Sequence, residues 1–160
     1  MGKTLPRIIL VSGIPGTGKS SFCRYLARQY LFAHYDMEHR EDWPHKELHP
    51  IWEASRPQFV AELKQRHEAT ALDWGFPPHC LGLVEELLDA GVFAVWFTGD
   101  LALARQAFIS RGTIPEEPFD KQVQRISDAG LPGSLNARVV QVFTPEGAFK
   151  SPEVIYRSLS

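Results

Sequence analysis

Ile8-Ile9-Leu10-Val11-Ser12-Gly13-Ile14-Pro15-Gly16-Thr17-Gly18-Lys19-Ser20-Ser21 is the stretch on which the fold turns. Its first four residues are continuously apolar rather than alternating, as a strand covered on both faces requires. The eight residues from Gly13 to Ser20 fit G-x-x-x-x-G-K-[ST]. In this pattern glycines let the backbone curl so that successive N–H groups face inward, and the helix that follows turns its positive end toward the same point. Gly13, Ile14, Pro15, Gly16, Thr17, Gly18, Lys19, Ser20 and Ser21 are therefore read as the cradle of a nucleoside triphosphate, ATP with magnesium (Mg2+) in the first place. Lys19 supplies a point charge to the terminal phosphates, and Ser20 supplies a hydroxyl to the metal. A turn that merely joined a strand to a helix would need neither Lys19 nor Ser20.

Outward from the loop, short β-rich runs alternate with segments of helical period, the pattern of parallel strands joined by crossover helices. Phe22, Tyr25 and Leu26 fall at helical spacing, and Leu31 to Tyr35 reads as a second strand. A polar segment from Asp36 to Pro50 follows, then a helix near Pro57 with Phe59, Val60 and Leu63 on its buried stripe. Ala69 to Leu72 is expected as strand three, ending at Asp73, and a helix from about Pro78 to Ala90 stops at Gly91. Val92 to Phe97 reads as strand four, Leu101 to Ser110 as a helix, Arg111 to Pro118 as an irregular loop, and Phe119 to Asp128 as another helix. Val139 to Phe143 makes a fifth strand, and Ser151 with Pro152 opens a last helix. The class is α/β.

With 160 residues, 44% of them hydrophobic, residues 1–160 are read as a single domain. A formal charge of −2 offers no general attraction to nucleic acid or to anionic membrane, so a small molecule is the expected partner. No apolar run approaches the roughly 20 residues of a membrane span, and no secretory signal is evident, so the expected location is cytoplasmic. Cys23 and Cys80 match no metal-ligand spacing and read as ordinary thiols.

The sequence resembles the small P-loop kinases, in particular the group of polynucleotide 5′-kinase, chloramphenicol phosphotransferase and zeta toxin. The resemblance rests on Gly13 to Ser20, on Asp36 after strand two, on Asp73 after strand three, and on Arg105 and Arg111 after strand four. It implies a three-layer fold whose parallel five-stranded sheet runs in the order 2-3-1-4-5 between helices. It also implies transfer of the ATP γ-phosphate to a hydroxyl of a small molecule or nucleotide. In that resemblance Asp73 holds magnesium through water, Asp36 receives the acceptor's proton, and Arg105 and Arg111 attend the phosphates. A GTPase fits less well, because the only asparagine, Asn136, is followed by alanine rather than lysine. The rival from another class is an ATP-binding switch, or slow ATPase, acting through an unknown protein partner. No long nucleic-acid track is expected.

Other residues leave alternatives open. Asp73 also suits a strand-end turn cap and Asp36 a solvated strand-end acid, while Glu38 is a substitute base. Arg111 stands at the edge of the glycine and proline loop and reads as the lid arginine; Arg105 suits solvent as well, and Arg125 is an alternative contributor. Glu116 and Glu117 make this lid more acidic than the resemblance implies. His45-Lys46-Glu47-Leu48-His49 lacks the glutamate directly after its first histidine that a zinc-protease helix needs. Of Trp43, Trp52 and Trp74, two are expected in the core and one beside the acceptor. Thr144-Pro145-Glu146-Gly147 occupies the place where this group holds its base through backbone contacts. Lys19 itself is expected to face solvent.

Overall fold

A computed structural model describes residues 5–110 and 116–160. The apolar run before the phosphate loop is β1 (Ile8–Gly13), buried along its whole length. It lies at the centre of a five-stranded sheet with β2 (Ala33–Asp36), β3 (Thr70–Asp73), β4 (Phe93–Thr98) and β5 (Arg138–Gln141). All four pairings are parallel and the order is β2-β3-β1-β4-β5. Since β1 connects to one side of the sheet and β3 crosses back to the other, the chain reverses its direction of winding at β1. Ligands of open α/β sheets bind at the carboxyl ends of strands beside such a reversal.

The helices that cover the sheet are α1 (Lys19–Tyr30), α2 (Leu48–Ala54), α3 (Arg56–Arg66), α4 (Leu81–Asp89), α5 (Leu101–Ile109), α6 (Glu116–Asp128) and α7 (Pro152–Leu159). Three starts carry side-chain caps: Ser55 accepts from Gln58 N–H, Asp100 from Leu103 N–H, and Ser151 from Val154 N–H.

Two expectations are corrected. The polar segment Asp36 to Pro50, for which no element was expected, contains the start of α2; Pro50 falls in its first turn, where a missing N–H costs nothing. Pro118 likewise sits in the first turn of α6, so the irregular loop expected through Pro118 ends before Glu116. Trp43, Trp52 and Trp74 are all buried, two of them meeting edge to face, Trp52 on Trp74 with ring centroids 5.6 Å apart. None is left over to line an acceptor site. The expectations for Arg111 to Pro115, the lid arginine among them, lie outside the described residues.

The close approach of β1 to β4 depends on Gly13, which pairs with Phe97 at φ 139°. A Cβ there would overlap the Phe97 backbone carbonyl. Gly13→Ala is therefore expected to destabilise the protein by at least about 1–3 kcal/mol from backbone strain alone. Urea denaturation checks this, and an unchanged midpoint would contradict it.

Candidate active site

The loop between β1 and α1 closes on itself. Gly16 adopts φ 77°, and a Cβ at this position would strike the Ala104 carbonyl of α5. The Thr17 hydroxyl donates to the Ile14 carbonyl at 2.7 Å, and Lys19 Nζ donates to the same oxygen at 2.9 Å. Lys19 is consequently half-buried and folded back across the cradle, not turned out to solvent as expected. The Thr17 hydroxyl and the Lys19 ammonium thus meet at one carbonyl oxygen of the loop.

That space opens into a cavity of about 580 Å³. Gly13, Pro15, Gly16, Lys19 and Ser20 form its floor, and Asp36, Glu38, His39 and Asp73 one wall. Strand register explains how two acids distant in sequence meet: β2 and β3 end together, with Asp36 directly opposite Asp73. Val11 of β1 pairs with Asp73 on its other side, which sets this carboxylate beside the phosphate loop. Asp73 is 5% exposed, and its Oδ2 lies 3.0 Å from His34 Nε2. The Asp36 carboxylate accepts from Glu38 N–H at 3.0 Å and meets His39 Nδ1 at 2.9 Å. That hydrogen bond, then the charge of Asp36, pushes the His39 pKa up. Crowding by protein, then the same Asp36 charge, pushes the Glu38 carboxyl up. Glu38 and Lys19 flank Gly75 from two sides: a Cβ there would lie 3.1 Å from Lys19 Cε and 3.9 Å from Glu38 Oε1.

The opposite wall is apolar, made by Phe76, Pro77, Pro78 and Phe108, with Gln122, Arg125 and Ile126 of α6 above it. Arg125 is thus the described arginine that shares the cavity with the phosphate loop. Arg105 does not share it: its guanidinium pairs with Asp120 of α6 at 3.0 Å and lines a separate hollow between α5 and α6. Arg111 lies outside the described residues.

A second hollow of about 420 Å³ adjoins the start of α1. Thr17, Gly18, Ser21, Phe22 and Phe97 meet Phe149, Lys150 and Pro152 there. Phe149 is 49% exposed and is held by Phe143, ring centroids 4.7 Å apart, in a hairpin closed between Thr144 and Ala148. The hollow is lined beyond that turn, by Phe149, Lys150 and Pro152, and not by Thr144 to Gly147 themselves. An exposed phenylalanine in a loop carries no motif, and no pattern in the sequence marks it.

Ser20 and Asp73 offer oxygen donors suited to a hard cation. Among the described residues, the one group of three His, Cys, Asp or Glu donors close enough to share a metal is Cys23, His34 and Asp73, with donor atoms within 4.8 Å of one another. No described helix is long and apolar enough to cross a membrane.

No family model matches the sequence, and no curated protein matches it either. Solved structures match the fold. A gluconokinase from Sinorhizobium meliloti superposes with TM-score 0.58 at 16% identity, covering 98% of this chain and 97% of its own. A shikimate kinase from Acinetobacter baumannii gives 0.60 at 19%, covering 98% and 91%. A sugar kinase from Janibacter sp. gives 0.62 at 12%, covering 98% and 92%. At these identities the likeness concerns architecture: the chain has the parallel 2-3-1-4-5 sheet and flanking helices of P-loop kinases.

Proposed function

We propose that this protein is an ATP-dependent phosphotransferase that moves the γ-phosphate of Mg-ATP to a hydroxyl of a small molecule or nucleotide. One observation carries the reading: Lys19, Ser20, Asp73 and Asp36 border a single cavity of about 580 Å³ whose far wall is apolar, which supports room for an acceptor beside the triphosphate. A nucleotide switch needs the phosphate cradle but has no use for a second compartment beside the terminal phosphates. The fold shared with gluconokinase and shikimate kinase supports the same class. The narrower resemblance to polynucleotide 5′-kinase, chloramphenicol phosphotransferase and zeta toxin keeps nucleosides and antibiotics among the acceptors to test, beside sugars.

In this reading the loop N–H groups and Lys19 hold the β- and γ-phosphates, Lys19 exchanging the Ile14 carbonyl for phosphate oxygen. Ser20 and Asp73 hold magnesium, which when bound neutralises charge on those phosphates. Asp36 orients the acceptor hydroxyl and takes its proton, and Arg125 balances the moving phosphoryl charge from α6. Phosphoryl transfer asks mostly for alignment and positive charge, so no covalent intermediate with the protein is needed. The base lies over α1 against Phe149. Its loss in Phe149→Ala is expected to weaken ATP by about 1–3 kcal/mol, the usual worth of a base stacked on an aromatic ring. Isothermal titration with Mg-ATP reads this, and an unchanged affinity would move the base elsewhere.

The reading is tested by ADP release in the presence of sugars, nucleosides, aminoglycosides, other antibiotics and 5′-hydroxyl oligonucleotides. One class should stimulate release well above basal hydrolysis. If ATP binds and none of them stimulates, the phosphotransferase reading fails in favour of a switch.

A further inference from the structure

Cys23 and His34 have no part in the transfer chemistry, yet both converge on the carboxylate of Asp73. Cys23 lies on α1, three residues beyond Ser20, and is fully buried. His34 lies on β2 opposite Ala71, which sets its side chain diagonally beside Asp73 two residues further along β3. His34 Nε2 and Asp73 Oδ2 are 3.0 Å apart, and the Cys23 sulfur lies within 4.8 Å of both donors. We propose that Cys23 Sγ, His34 Nε2 and Asp73 form a site for a soft divalent cation of the zinc class, whose occupation withdraws Asp73 from magnesium.

The donor set argues for this class of ion. One thiolate, one imidazole and one carboxylate with an open fourth position suit zinc or cobalt, whereas magnesium takes oxygen donors in a six-fold shell. Donors around tetrahedral zinc stand roughly 3.3–3.6 Å apart, as Zn–S near 2.3 Å and Zn–N or Zn–O near 2.0–2.1 Å require. The imidazole and carboxylate, 3.0 Å apart, need to open by a few tenths of an ångström, and the sulfur needs a shift of the order of an ångström. The His34 side chain is 22% exposed and gives the ion a way in from solvent. Without metal, burial and then the charges of Asp73 and Asp36 hold the Cys23 thiol protonated. A divalent cation reverses that field, the thiol proton leaves to solvent, and His34 binds as the neutral ring protonated on Nδ1. The sharing of Asp73 is what couples the two metals: a carboxylate that ligates an ion beside sulfur and imidazole is not available to magnesium at Ser20.

The site itself is independent of the phosphotransferase reading; its inhibitory effect rests on it. Titration of the full chain with Co2+ separates the two. One equivalent should give a thiolate-to-cobalt charge-transfer band with the intense visible bands of a four-coordinate ion, and Zn2+ should bleach both. Cys23→Ala should lose the charge-transfer band and Cys80→Ser should keep it. His34→Ala should bind at least about tenfold more weakly. Absence of a thiolate band in the wild-type chain, or its loss in Cys80→Ser instead, overturns the site. Once an acceptor is known, stoichiometric Zn2+ should inhibit transfer by the wild type and spare Cys23→Ala, with excess Mg2+ restoring activity. A cobalt band without such inhibition overturns the regulatory half, while absence of any transfer activity bears on the proposed function alone.

Discussion

Lys19→Ala is expected to abolish measurable Mg-ATP binding and to lower transfer by about 10³-fold, the scale on which single positive or N–H donors to a developing phosphoryl or oxyanion charge act. The effect is large because Lys19 is the cation in the floor of the cavity, already turned inward onto the Ile14 carbonyl. Its removal costs the free protein little. The part-buried hydrogen bond to the Ile14 carbonyl is worth about 1 kcal/mol, and the cradle keeps its shape through the Thr17 hydroxyl and the backbone of Gly13 and Gly16. Calorimetry against Mg-ATP, beside circular dichroism to verify the fold, makes the check. A folded variant with wild-type ATP affinity would remove Lys19 from the phosphate site.

Asp36→Asn should act on the other substrate. A positioned base contributes about 10²–10⁴-fold, so transfer should fall by that order at saturating acceptor while Mg-ATP still binds. The exchange is nearly isosteric, and the hydrogen bond from Glu38 N–H can persist to the amide oxygen. Asp73→Asn, one strand away, should differ in kind: a weaker affinity for Mg-ATP and a raised magnesium requirement, with the acceptor KM little changed. Measuring rate against acceptor and against magnesium for both variants distinguishes the two carboxylates. Near-normal transfer by Asp36→Asn would exclude it as the base and leave Glu38, which lines the same cavity, as the next residue to test.

The two arginine expectations show where sequence reasoning reached its limit. Arg105 and Arg125 are both exposed-type residues on amphipathic helices, and nothing in their neighbours distinguishes them. The packing of α6 against α5 does so, by handing Arg105 to Asp120 and setting Arg125 over the phosphate loop. The histidines illustrate the same point. His39, His45 and His49 cluster in sequence but separate in space, His39 to Asp36, His49 to the Arg40 carbonyl and His45 toward His67. His34, which no motif marks, reaches Asp73.

By itself the sequence determined the phosphate loop, the α/β class and the positions of the strands to within a few residues. Those features are local: eight contiguous residues contain the backbone curl and its cation, and a continuous apolar run declares a doubly covered strand. Tertiary structure alone decided that Asp36 stands opposite Asp73, that Trp43, Trp52 and Trp74 are all core, that Phe149 walls the hollow above α1, and that Cys23 shares a point in space with His34 and Asp73. Each of these depends on strand order and register between segments far apart in the chain. Parallel pairing sets which side chains meet through where the crossover helices return the chain, and that geometry leaves no imprint at any single position.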